Sequence, residues 1–240
     1  MVPRVLIASA EVPGGGEALR LIRRGDEFSI MLGSNELMNS RLSGSEAALA
    51  NLACEAIEDR ASPHVLIGGL GMGFTLRAAL AVLEKDATVS VAELVPAVVD
   101  WARGPLAHIH GDSLADPRVQ IAIADVGDLI RAGRASYDAI LLDVDNGPDG
   151  LSRAQNDSLY DVAGLSAARA SLRPGGVLAI WSSASDRAFT QRLRRLGFAV
   201  EETAVRARRQ WRGAPCHLAG NRAAAMTGAL SLRASRRVRA

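Results

Sequence analysis

Two cysteines in 240 residues, Cys54 and Cys216, lie far apart and form no CxxC pair. That argues against a disulfide framework or a thiolate metal site, and both read as buried thiols. Lysine is nearly missing. Of 28 basic residues only Lys85 is lysine, which we take as coding bias, although arginine and lysine are not equivalent at a site. No apolar run approaches the ~20 residues of a membrane span. The start, Met1 to Ala8, is too short in its apolar part for a secretory signal. The expected compartment is therefore the cytoplasm, with no membrane partner. The four histidines, His64, His108, His110 and His217, show no metal-ligand spacing. We expect no metal, and an exposed loop at His108 to His110. No serine nucleophile turn is evident. Acid is missing from the last stretch, Asn221 to Ala240, which holds five arginines. We read it as a solvated, disordered tail rather than a nucleic-acid arm.

What is present is an apolar, glycine-rich chain, 48% hydrophobic, enough for one large α/β domain. Val65-Leu66-Ile67 stops at Gly68-Gly69-Leu70-Gly71-Met72-Gly73, and a helical pattern starts at Phe74. Strand, tight turn, helix is the arrangement that brings bare backbone close to a ligand at the first crossover of a parallel sheet. Before it, Val5–Ile7 and Phe28–Leu32 are strand candidates around a Pro13-Gly14-Gly15-Gly16 turn, a small N-terminal β unit over residues 1–42. Ser43 and Glu46 have capping-box spacing at the head of a helix.

Beyond the turn, strands and helices alternate. Strands are expected at Val89–Ala92, Val119–Ala124, Tyr137–Leu142, Val177–Trp181 and Phe198–Val205, with a short one at His217–Ala219. Helices are expected at Phe74–Lys85, Pro96–Arg103, about Asp157–Leu172 and from Ser185 or Asp186 to Leu196. The alternation predicts a doubly wound sheet over residues 43–220, with ligands beyond the carboxyl ends of its strands.

Three of those ends carry an acid: Glu93, Asp125 and Asp143. A carboxylate after the second strand can accept both ribose hydroxyls. Asp125 can accept from an adenine amine or cap the next helix. Asp143 falls next to the switch point, where a reacting group would sit. The glycines read Gly69-x-Gly71-x-Gly73. A dinucleotide fingerprint would need its third glycine at Phe74, so the pattern favours an adenosyl-sulfonium ligand.

These residues resemble the spermidine synthase-like members of the class I S-adenosylmethionine-dependent methyltransferase fold. The likeness runs from about Phe28 to Trp181, through Ile67–Arg77, Val91-Ala92-Glu93-Leu94, Asp116–Val119, Ala124-Asp125, Tyr137–Pro148, Leu159-Tyr160 and Leu172–Leu178. It implies a Rossmann-like sheet of seven strands, with the last pair antiparallel. It also implies ribose at Glu93, adenine near Asp125, and a catalytic carboxylate at Asp143, beside which Asp145 offers a second carboxylate to hold an ammonium and accept its proton. The implied reaction is transfer of an aminopropyl group from decarboxylated S-adenosylmethionine to a small amine, with a homodimer expected. Asp145 also fits a plain turn, because Asp145-Asn146-Gly147-Pro148 is strong turn chemistry.

The chain departs from the family pattern at its amine sites. Met72 stands where an aspartate usually meets the amine of the aminopropyl arm. Of a tyrosine–histidine–glutamate triplet only Glu46 survives, and Leu37-Met38 lies where a glutamine is expected. Tyr160 is the nearest aromatic for the acceptor side, or a packing residue. Three readings remain open: aminopropyl transfer, methyl transfer from S-adenosylmethionine, and a non-catalytic nucleoside-binding module.

Overall fold

A computed structural model describes residues 2–41, 43–143, 158–182, 186–205 and 227–234. Four antiparallel strands come first: β1 (Val5–Ala10), β2 (Leu19–Arg24), β3 (Glu27–Leu32) and β4 (Asn35–Asn39) form one sheet in chain order. Two of these, β2 and β4, were not anticipated. In β2 the alternation rests on Leu19 and Leu21, both buried, in a segment crowded with arginine. After helix α1 (Gly44–Glu55) the main sheet begins with β5 (His64–Gly68), followed by α2 (Phe74–Val82), β6 (Thr88–Glu93), α3 (Pro96–Arg103), α4 (Ala107–His110) and β7 (Val119–Ile123). Then come α5 (Val126–Ala132), β8 (Tyr137–Leu142), α6 (Val162–Ser171), β9 (Leu172–Ser182), α7 (Arg187–Arg195), β10 (Phe198–Val205) and β11 (Thr227–Ala234).

The strand order is β10-β11-β9-β8-β5-β6-β7. Strands β5 to β9 run parallel, and β11 is antiparallel to both β9 and β10. The expected seven-stranded, doubly wound sheet is therefore present. The chain leaves β5 through α2 to β6 on one side and returns from β7 through α5 to β8 on the other, so the crevice opens at the turn after β5.

Period-two alternation explains why both faces are covered. Val65, Ile67, Ala139, Leu141, Val177 and Ala179 face one cluster, with helices α1 to α3 and the N-terminal sheet. Leu66, Ile140, Leu142, Leu178 and Ile180 face the other, with α5 to α7. Every residue of β8 is buried, as a central parallel strand requires. Tyr160 belongs to this second core, edge-on to Phe189 at 6.0 Å, so it packs rather than lining a site.

Three expectations need correction here. The segment from Asn221 was read as a disordered tail, yet Thr227–Ala234 is a strand in full register with β10 and paired to β9. Its Leu230-Ser231-Leu232-Arg233 alternation suits a strand, and lying between two strands gives its backbone partners on both edges. The strand expected at Val177–Trp181 starts earlier, so that Arg173-Pro174-Gly175-Gly176 lies inside β9, with a register shift against β8. Ser43 occupies the N-cap position of α1 but makes no side-chain cap bond. Asp125, Asp161 and Asp186 do cap their helices, accepting from Gly127, Gly164, and Ala188 with Phe189. Asp145, Cys216, Trp211 and the strand expected at His217–Ala219 lie outside the described residues.

Candidate active site

The turn after β5 is held open by conformation and by neighbours. Gly71 and Gly73 have φ of +49° and +74°, where a side chain is strained. A Cβ on Gly71 would stand 2.5 Å from the Met38 sulfur. A Cβ on Gly73 would meet the His110 ring. His110 was expected in an exposed loop. It is 1% exposed, packed beneath the turn, and burial pulls its pKa down to about 4. The Gly71 backbone beside the ring opposes that shift only in part. A neutral imidazole is the form that tolerates such a place. Sequence pattern could not show this, because His108, two residues earlier, is exposed and meets Phe28 at a ring distance of 5.5 Å.

Glu93 lies at the end of β6 and is buried. Its Oε2 accepts the Leu70 N–H at 2.9 Å and its Oε1 accepts the Val95 N–H at 2.8 Å. The carboxylate thus staples the glycine turn to the head of α3. Burial pushes its pKa up, and the backbone donors pull it back. Asp125, at the end of β7, accepts the Gly127 N–H at 2.6 Å through Oδ1. Asp143 follows β8 and is half-buried. Thr75 Oγ1 donates to its Oδ2 at 3.3 Å. Desolvation, and then the nearby Glu46 carboxylate, raise its pKa to about 7, against a smaller lowering by Thr75.

Two adjoining chambers meet at Asp143 and at Met38, Gly69 and Gly71. The first is lined by Glu93, Asp125 and apolar side chains that include Ile30, Leu94 and Val126. Strands of the N-terminal sheet roof it through Leu19, Ile30 and Leu32. That combination, two carboxylates, bare loop backbone and flat apolar walls, suits a nucleoside. The second contains Glu46, Thr75, Met72, Phe74 and Trp181. Glu46 accepts from Ser45 Oγ at 2.7 Å instead of closing a capping box. Trp181 packs against the first core cluster and also forms part of this wall. Its Nε1–H has no partner among the described residues. All of Gly69, Gly71, Gly73, Glu93, Asp125 and Asp143 therefore converge on one crevice. The described residues hold no cluster of three His, Cys, Asp or Glu able to bind a metal ion. No described helix is long and apolar enough to cross a membrane.

Sheet order, glycine turn and strand-end acids define the chain as a methyltransferase-like α/β protein with a nucleoside-sized crevice. Comparison with known proteins sharpens this. The spermine/spermidine synthase domain matches residues 46–190, and the chain belongs to that family. Polyamine aminopropyltransferase 1 of Streptomyces coelicolor is 37% identical over 124 residues, covering 50% of this chain and 22% of that protein. Polyamine aminopropyltransferase of Mycobacterium tuberculosis is 31% identical over 163 residues, covering 66% and 29%. The matches thus take in less than a third of these relatives' length. The fold matches a spermidine synthase solved with the transition-state analogue AdoDATO, and the spermidine synthase of Thermotoga maritima. Each has a TM-score of 0.70 at 18% identity, over 96% of this chain and 72% of the other. At that identity the likeness speaks for the fold.

Proposed function

We propose that this chain is a transferase that moves an aminopropyl group from decarboxylated S-adenosylmethionine to a small amine. The observation that carries this reading is the place of Asp143, the one acid common to both chambers among the described residues. Family membership and the aminopropyltransferase relatives support the reaction class.

The first chamber takes the adenosyl part of the donor, with ribose toward Glu93 and adenine toward Asp125. The sulfonium then lies near Asp143, and its aminopropyl carbon is the electrophile. An alkylammonium, with a pKa of about 10, cannot attack until it loses a proton. Asp143 holds the ammonium and accepts that proton, and a carboxylate with a raised pKa is the better base for it. The neutral amine then attacks. The C–N bond forms, the C–S bond breaks, and its electron pair stays on sulfur as a neutral thioether. The product leaves as a secondary ammonium. Holding both reactants in line supplies much of the acceleration. Asp145 serves either as a second acid for the amine or as a turn residue.

Methyl transfer from S-adenosylmethionine is the second reading. It is favoured by one observation: Met72, buried and uncharged in the second chamber, offers no repulsion to the carboxylate of that donor. Calorimetric titration with both donors, then mass spectrometry of products formed with a panel of amines, separates the two. We expect the decarboxylated donor to bind more tightly and an aminopropylated product to form. Tighter binding of S-adenosylmethionine with a methylated product would replace the first reading by the second. If neither donor binds at millimolar concentration, the nucleoside assignment itself fails.

A further inference from the structure

Among the described residues the two chambers share Leu37, Met38, Gly69, Gly71 and Asp143. Two of these are neighbours on one strand, where side chains ordinarily alternate between faces. A β-bulge removes the alternation. The pairing of β3 with β4 steps from Met31 opposite Glu36 to Ile30 opposite Met38, which leaves Leu37 as the extra residue. Both side chains thus reach the passage between the chambers, and both pack against the first core cluster. Met38 presses on the bare turn: a Cβ on Gly71 would stand 2.5 Å from its Sδ and 3.0 Å from its Cε.

A sulfonium that bridges the chambers carries an adenosyl, an aminopropyl and a methyl arm, and the geometry of displacement separates them. The amine held at Asp143 attacks the first carbon of the aminopropyl arm opposite the C–S bond, so that arm extends into the second chamber. The adenosyl arm fills the first. The methyl then points back from sulfur, away from the attacking amine, at the level of the passage. There Leu37 and Met38 offer an apolar wall, and a methyl buried against it is stabilised. The Met38 thioether is also soft and polarisable, which suits a methyl that shares a sulfonium's positive charge.

We propose that Leu37 and Met38 form the seat of the donor's S-methyl group and are specificity-determining residues. They fix which arm of the sulfonium faces the amine, and they exclude donors with a larger third arm. The inference rests on the aminopropyl-transfer reading above, because methyl transfer would turn the methyl toward the amine instead.

The test titrates decarboxylated S-adenosylmethionine and its S-ethyl and S-propyl homologues calorimetrically onto the full chain, with no amine present. The adenosyl and aminopropyl arms are constant, so the series reads only the third arm. Wild type is expected to bind the S-propyl homologue at least about tenfold more weakly than the S-methyl donor, because extra methylenes are forced against a packed wall. Met38→Ala, which removes more volume than the propyl group adds, should bring the two within about threefold. Met38→Leu keeps the volume and should keep the gap. Leu37→Ala is expected to narrow the gap too, and stands in if Met38→Ala does not fold. Equal binding of the series by wild type overturns the proposal without recourse to a variant, as does a gap that the alanine variants leave unchanged. No binding by any of the three donors overturns the seat together with the nucleoside assignment. Products formed from the S-methyl donor with a panel of amines tell the two readings apart. Aminopropylated product with a flat series would sink the methyl seat alone, whereas methylated product would sink the transfer reading and the seat with it.

Discussion

The Oε2 of Glu93 accepts the backbone N–H of Leu70 at 2.9 Å, so the acid at the end of the second parallel strand holds the glycine turn in place before any ligand arrives. Its other oxygen holds Val95. Glu93→Ala would leave two buried amides without acceptors, at about 1–3 kcal/mol each. We expect a lower urea midpoint together with weaker binding of 5′-methylthioadenosine by calorimetry. Glu93→Gln keeps one acceptor oxygen and should lose roughly half as much stability. An alanine variant with wild-type stability would show that the staple contributes nothing.

Asp143 gives a pH signature of definite sign. Its folded pKa, about 7, lies above the value of an ordinary carboxylate. The folded state therefore holds this proton more tightly than the unfolded chain does. Stability from this group is complete below about pH 4 and is lost as pH rises through about 7, at no more than ~1.4 kcal/mol per unit. Glu93, also raised, adds a slope of the same sign. Asp143→Asn should flatten only its own share in urea titrations between pH 4 and 8, and should abolish turnover. A variant that matches wild type in turnover would remove Asp143 from the chemistry.

Gly73 and His110 should be energetically coupled. Gly73→Ala meets both a left-handed φ and the buried imidazole. We expect a loss above about 2 kcal/mol, the sum of strain and overpacking. His110→Ala removes the obstacle, so the double variant should be less damaged than the two single losses added together. Strict additivity in urea unfolding would mean the ring yields freely.

Asp138 sits at the opposite end of β8 from Asp143. It binds Arg173 at 2.6 Å, Arg60 at 3.5 Å and the His64 N–H at 2.9 Å, and is 1% exposed. Asp138→Ala should cost about 3 kcal/mol, the low end for a broken buried pair, because both arginines remain partly in water. Binding of 5′-methylthioadenosine should be unchanged. A large loss of affinity would mean that strain passes along β8 to the crevice.

How much could be read in advance follows from the range of each interaction. Period-two runs, the glycine turn and the proline at the head of α3 are local signals, and β5 to β10 with helices α2, α3, α6 and α7 came from such signals, whereas the short helices α4 and α5 were not anticipated. Glu93, Asp125 and Asp143 were legible for the same reason: parallel strands of known direction must end at one edge. β11 was missed because five arginines near it read as a solvated tail, while its pairing with β9 spans about fifty residues of chain.

The sequence by itself determined that a nucleoside-sized crevice would open at Gly69–Gly73 with three acids around it. Only the tertiary structure decided what each acid does there. Glu93 is committed to Leu70 and Val95, Asp125 caps α5, and Asp143 is raised to about 7. It also decided that a histidine supports the turn from below and that the N-terminal sheet roofs the first chamber. The physical reason is that a carboxylate's role depends on the donors and the dielectric around it. Those are supplied by residues distant in the chain, such as Glu46 and Thr75 for Asp143, which only folding brings beside it.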